Sequence, residues 1–232
     1  MSRTIHFYIP TIHLYLTPGS VSLASHIALA ESNLPFTTTD LKASRGYPTE
    51  HLHLNPKGRV PILSLDGELI TETPAILSTI SALAPEKHLL GVTILEQARA
   101  QEWMAWLCGT LHGQGFGCLF RPVRFVGSEE GMYDAVKACG RECVKECFAY
   151  IDGKLEGRAW AVGDAFTAVD AYLYAFYRWG NMLKLGMREK YPNYARVMDA
   201  VVKRESVIKT VEVEGISFDG AFDPAKVVRK DG

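Results

Sequence analysis

Gly58-Arg59-Val60-Pro61-Ile62-Leu63-Ser64-Leu65, followed after a turn by Thr71-Glu72-Thr73-Pro74-Ala75-Ile76, is the stretch on which the fold turns. Residues 62–65 and 69–71 read as two strands about Asp66-Gly67, a dipeptide suited to a two-residue hairpin loop. Pro61 has no amide hydrogen, so at the strand entrance it leaves Val60 with backbone groups free to pair with something other than the sheet. Glu72 and Thr73 sit at a helix start with Pro74 beside them, where unpaired amides and the helix dipole favour a carboxylate. The two halves of the stretch together form a clamp for a small acidic peptide.

Working outward, residues 12–16 are strand-like, 22–31 helix-like, and 36–41 carry the β-favouring run Thr37-Thr38-Thr39. Residues 74–83 read as a closing helix. The order βαβ then ββα requires one mixed sheet with helices packed on it. Ala84-Pro85-Glu86-Lys87-His88 breaks the pattern, and strand signals vanish beyond it. Helices are expected over 94–112, 133–155 and 167–185. The expected division is an α/β unit over 1–84 with an extension at 1–10, a linker at 85–91, an all-helical unit over 92–215, and a tail at 216–232. Phe166-Thr167-Ala168-Val169-Asp170 reads as a capping box, with Asp170 in the place usually held by Glu or Gln. The residues after it, Ala171 to Tyr177, are apolar or aromatic on every side, so this helix should run through the core.

With 232 residues, 47% hydrophobic content and a net charge of −1, the chain can bury one large core or two modest ones and offers no field for a nucleic acid. No run of eighteen apolar residues suggests a membrane span, and the N-terminus lacks the pattern of a secretory signal. Five cysteines without a disulfide-framework spacing fit a reducing compartment. A cytoplasmic location is therefore expected.

The element order, Val60-Pro61, Glu72-Thr73 and the Thr167–Asp170 box together resemble a cytosolic glutathione transferase over about residues 12–205. The run Pro18-Gly19-Ser20-Val21-Ser22-Leu23-Ala24-Ser25-His26-Ile27-Ala28-Leu29 resembles the first-helix signature of the bacterial beta class. Leu111-His112 with Phe116, Leu119, Phe120 and Arg121 resembles that class's fourth-helix region. The resemblance implies a thioredoxin-like glutathione-binding domain, an all-α domain that binds a small hydrophobic electrophile, and a homodimer. It implies further that Pro61 is cis, that Val60 pairs with the cysteinyl part of glutathione, and that Glu72 and Thr73 hold its γ-glutamyl end.

One departure bears on the chemistry: beta-class proteins carry a cysteine where this chain has Val21. Val21 can neither form a mixed disulfide nor donate to a thiolate. Ser20 and Ser22 flank it, and either hydroxyl is a candidate donor to the glutathione sulfur; both are also good helix caps. A thiol of pKa about 8.5 becomes mostly thiolate at neutral pH after a drop of about two units, or roughly 2.7 kcal/mol. One hydrogen bond to a charged group gives about 1.5–3 kcal/mol and a helix N-terminus about 0.3–1, so a serine suffices. His112 is the other catalytic candidate, with a packed helix histidine as the alternative. Trp106, Phe116, Leu119, Phe120 and Tyr177 are candidates to line the electrophile pocket, although an aromatic set at helical spacing also reads as core. His53 and Lys57 are candidates for the glycyl end of glutathione.

Cys139, Cys143 and Cys147 recur every four residues, but no fourth ligand accompanies them, so small buried side chains are expected and no metal. Gly113-Gln114-Gly115-Phe116-Gly117 lacks the strand and lysine of a phosphate loop and should loosen or kink its helix. Three functions follow: a conjugating transferase, a glutathione-dependent alkene isomerase, and a non-catalytic glutathione-fold module. The tail, with Phe218, Phe222 and Pro224, is expected to fold over the electrophile pocket or a partner.

Overall fold

The computed structural model describes residues 10–220. Strand β1 (Ile12–Leu16) runs parallel to β2 (Thr37–Asp40) and antiparallel to β3 (Ile62–Leu65), which pairs in turn with β4 (Glu68–Thr71). The sheet order is β2-β1-β3-β4. Helix α1 (Ser22–Ser32) makes the crossover between the two parallel strands. Asp66 and Gly67 both take positive φ, 52° and 89°, which closes β3 onto β4 with a two-residue turn. All of β2 is exposed, so it is an edge strand, and Thr37 and Thr39 hydrogen-bond the two ring nitrogens of His13 at 2.6 and 3.0 Å.

Helix α2 (Thr73–Leu83) closes this α/β unit, which is thioredoxin-like with a mixed sheet. Among the described residues after it, every regular element is a helix. α3 (Ile94–Trp106) starts on a full capping box, in which Thr93 accepts from the amide of Glu96 while Glu96 accepts from that of Thr93. The chain then widens into a π-helical segment over Leu107–Phe116 and tightens again into α4 (Gly117–Phe120). The glycine run lies within and just beyond these widened turns. α5 (Val123–Val126) and α6 (Tyr133–Lys154) follow.

Helix α7 (Ala168–Met182) is buried from Ala168 to Gly180, in keeping with the apolar and aromatic run Ala171–Tyr177. Asp170 accepts from the amide of Thr167 at 2.8 Å and, outside the box itself, from the amide of Ala161 at 2.9 Å. α8 (Met187–Lys190), α9 (Pro192–Val201) and α10 (Glu205–Glu214) complete the helical part. Helix α1 is buried from Ser22 to Leu29 because it is packed between α2, α7 and α10, and through it the two parts share one core. No helix among the described residues is long and apolar enough to cross a membrane.

Candidate active site

The loop between β1 and α1 brings the serines together. Gly19 takes φ +71°, a left-handed conformation that suits a residue without Cβ, and turns the chain into the helix. The hydroxyls of Ser20 and Ser22 lie 2.7 Å apart, and Ser20 Oγ also accepts from the amide of Ser22 at 3.2 Å. Ser22 Oγ lies 3.2 Å from both the amide nitrogen and the carbonyl oxygen of Thr17. Ser22 is fully buried and Ser20 is not. The Ser22 hydroxyl has Thr17 and Ser20 as its partners. Val21 is itself buried, at 4% exposure.

The peptide bond before Pro61 is cis. Val60 precedes the β-ladder, whose first pair on β3 is Ile62 with Tyr15. Glu72 takes φ +73°, strained for a residue with a side chain, immediately before the buried Thr73 opens α2. Lys57 donates to Glu72 Oε1 at 2.5 Å and to Thr71 Oγ1 at 2.6 Å. Lys57 thus braces the carboxylate at the Glu72 end of the clamp. His53 is exposed, and its Nδ1 lies 2.7 Å from the carbonyl of Glu50 within its own turn.

His112 lies on the π-helical segment, its ring 5.7 Å from that of Phe176 and 5.5 Å from that of Trp179. Burial pushes its pKa down to about 4; the positive charges of Arg59 and Arg124 act in the same direction, and Glu72 opposes them. The imidazole is therefore neutral at neutral pH. Phe116 is fully buried, stacked on Phe176 and Phe120 and edge-on to Trp179. It forms the floor of this aromatic group, while Leu119 and Phe120 are part-exposed and also edge a recess of about 390 Å³ against α6.

Two expected pocket residues have ring partners outside the His112–Phe116–Trp179 group. Trp106 packs on Trp103 and Tyr150, at 6.0 and 4.9 Å between rings, on the α3–α6 face. Tyr177 packs on Tyr194 at 5.2 Å, on the side of α7 that meets α9. In a helix whose whole circumference is buried, composition does not reveal which side faces the cleft.

Trp179 escaped the sequence reading. Its indole donates to the carbonyl of Gly19 at 2.9 Å, tying α7 to the serine loop, and its ring joins His112, Phe116 and Phe120. Its spacing of three from Phe176 was the available signal. Glu214 at the end of α10 holds the same loop from behind: it accepts from the amide of Gly19 at 2.8 Å and meets His26 Nδ1 at 2.9 Å, both side chains buried. Tyr172, on α7, is fully buried, and its hydroxyl lies near Cys108 and Thr73. Burial and the neighbouring Cys108 raise its pKa, whereas Thr73 acts to lower it.

The described part of the tail is tied to α7. Arg178 donates to the carbonyl of Ser217 at 3.0 Å and Tyr174 to that of Phe218 at 2.7 Å, so residues 216–220 lie along α7. Phe222 and Pro224, and the extension at 1–9, lie outside the described residues. Among the described residues no three His, Cys, Asp or Glu side chains are arranged to hold a metal.

This architecture and these sequences have known counterparts. Residues 10–81 match the family model "Glutathione S-transferase, N-terminal domain" and residues 118–205 match "Glutathione S-transferase, C-terminal domain". The chain is 33% identical over 208 residues to glutathione S-transferase GstA of Escherichia coli O157:H7, covering 88% of this chain and 98% of that protein. A sphingomonad glutathione S-transferase solved with glutathione superposes with a TM-score of 0.76 at 31% identity, over 88% of this chain and all of that one. A glutathione transferase homologue from Sulfitobacter with bound glutathione gives 0.80 at 27%, over 89% and 99%.

Proposed function

The chain belongs to the glutathione S-transferase family, and from that premise we propose that it activates the thiol of glutathione through Ser20 for transfer to a small hydrophobic electrophile. The observation that carries this reading is the hydrogen-bond chain beside Val21. In one orientation of its protons, the Thr17 amide donates to Ser22 Oγ and Ser22 donates to Ser20, which leaves the Ser20 proton free to point at sulfur. Each donor in such a chain polarises the next. The thiol proton leaves to solvent and the thiolate lone pair bonds an electrophilic carbon; either the leaving group departs with the electron pair of its broken bond, or the carbon's π electrons shift to the neighbouring atom and take a proton from solvent, and no covalent protein intermediate is required.

Val60 offers its backbone to the cysteinyl part of glutathione, while Glu72, braced by Lys57, and Thr73 receive the γ-glutamyl end. His112, Trp179, Phe120 and Leu119 face the electrophile, over the floor made by Phe116. A neutral His112 can donate or accept one hydrogen bond to an oxygen on that molecule. A homodimer is proposed as well, with the α3–α6 face as its contact; the part-exposed Trp106 packed beside the exposed Tyr150 supports that choice.

The test is titration of the bound glutathione thiol by its ultraviolet thiolate absorbance in wild type and Ser20→Ala. Loss of the donor should raise that pKa by about one to two units and lower kcat/KM roughly 10–100-fold at neutral pH, with glutathione affinity nearly unchanged. An unchanged thiol pKa rules out Ser20. Absence of glutathione binding in the wild type would favour a non-catalytic module. Product mass separates the two chemistries, since net addition of glutathione marks a transferase and an unchanged mass with a rearranged alkene marks an isomerase.

A further inference from the structure

The turn between α4 and α5 gathers positive charge beside the aromatic group. Arg121 follows the last residue of α4, and Arg124 lies within α5. Arg121 donates to the carbonyl of Phe120 at 2.9 Å, which holds its guanidinium next to a residue whose ring stands 5.4 Å from that of Trp179. Helix α5 is seated against the widened helix. A Cβ at Gly117 would lie 3.4 Å from the Phe125 ring and 3.4 Å from the carbonyl oxygen of His112. Arg59 comes from the α/β unit, beside Val60. The charges of Arg59 and Arg124 both bear on His112, so the two guanidiniums stand near that ring. Burial first, and then the charges of Arg59 and Arg121, hold Arg124 below the ordinary guanidinium range.

These three arginines form no ion pair among the described residues. Glu72, the acid whose charge opposes them at His112, is already engaged by Lys57 at 2.5 Å. Like charges held together without an acid repel one another, and a carboxylate between them relieves the repulsion through charge-assisted hydrogen bonds. Glutathione accounts for one of the cations at most. With its γ-glutamyl end at Glu72 and its cysteinyl part at Val60, the arginine nearest its glycyl carboxylate is Arg59. Arg121 and Arg124 belong to the helical part, with His112 and Phe120. Val123 and Phe125, each about half exposed, flank Arg124 with apolar surface.

We propose that Arg121 and Arg124 bind an acidic group on the electrophile, so that the preferred substrates are small aromatic carboxylic acids bearing an electrophilic carbon; this rests on the placement of the electrophile proposed above. The ring lies against Phe120 and Trp179, and the carboxylate meets the two guanidiniums. A neutral electrophile would leave both cations uncompensated, and an inorganic anion would leave the aromatic surface unused.

The probes are 3,5-dinitrobenzoate and 3,5-dinitrobenzamide, which share a ring and differ in charge, and neither carries a halide for the thiolate to displace. Calorimetric titration of the full chain in excess glutathione should show the benzoate binding at least about tenfold more tightly than the amide, a preference that shrinks with added salt. In Arg121→Gln/Arg124→Gln the two affinities should become nearly equal. Arg124 is exposed, so Arg124→Gln tests the contact with the least disturbance of packing, and it should lower the preference at least about threefold. Equal affinities in the wild type, or a preference kept in both variants, would overturn the proposal. So would a double variant that loses glutathione affinity while keeping the preference, since the arginines would then serve the peptide alone. These binding ratios do not depend on thiol activation, so failure of the Ser20 reading and failure of this one are separately visible.

Discussion

At the scale of single residues, His112 makes the sharpest pH prediction. Burial holds its folded pKa at about 4, below its ordinary value of 6.5, so between those values the unfolded chain binds more protons than the folded one. The stability contributed by keeping this imidazole neutral is present above 6.5 and is lost as pH falls through about 4. Urea midpoints followed downward across that interval should decline, and His112→Gln should flatten the decline; an equal slope in the variant would place the titration elsewhere. The acid limb of the pH–rate profile above 5 should then belong to the glutathione thiol and not to His112. Val60-Pro61 and Glu72-Thr73 were legible in the sequence because each depends on a local backbone property, a missing amide or a helix start. The division of labour between Ser20 and Ser22 was not, because it depends on which hydroxyl Thr17 and the helix cover.

At the scale of elements, close crossings and caps set the cost of change. A Cβ added at Gly140 on α6 would lie 2.6 Å from Cys118 Cβ and 2.8 Å from the carbonyl oxygen of Gly115, where α6 crosses the widened helix. Gly140→Ala should therefore destabilise by about 1–3 kcal/mol despite the better helix propensity of alanine, as read from the denaturant midpoint. The glycine run of 113–117 announced an irregular helix, but the need for close approach at Gly115 arises from α6, far away in sequence. The α7 box was readable from Thr167 and Asp170. A cap alone predicts about 1 kcal/mol for Asp170→Ala. Asp170 is fully buried and also accepts from Ala161, so the substitution strands two buried amides, and a loss of about 2–4 kcal/mol is expected in urea unfolding.

At the scale of the whole molecule, the serine loop is held by the last helix and by α7. Glu214→Gln replaces one acceptor of the Gly19 amide or His26 with an NH₂ group, and Glu214→Ala removes both. The alanine variant should cost about 3 kcal/mol in unfolding free energy, and the glutamine variant less. Both should raise the thiol pKa of bound glutathione by loosening Ser20. Ile216 approaches within 3.6 Å of the position of a Gly19 Cβ, so truncation after Gly215 should also disturb thiol activation more than electrophile affinity. This reverses the expectation for a tail folded over the pocket, and comparison of KM for the electrophile with the thiol pKa in the truncated protein decides it. The sequence by itself determined the α/β-then-helical order, the hairpin, the Val60-Pro61 strand entrance, the helix start at Thr73 and the absence of a cysteine at position 21, because these rest on local propensity and residue chemistry. Only the tertiary structure decided that Ser22 is enclosed, that Trp179 and Glu214 grip the Gly19 loop, and that Trp106 packs on Tyr150 and Tyr177 on Tyr194. A helix buried on every side carries no periodic signal for direction, and contacts between residues more than a hundred positions apart exist only once the chain has closed on itself.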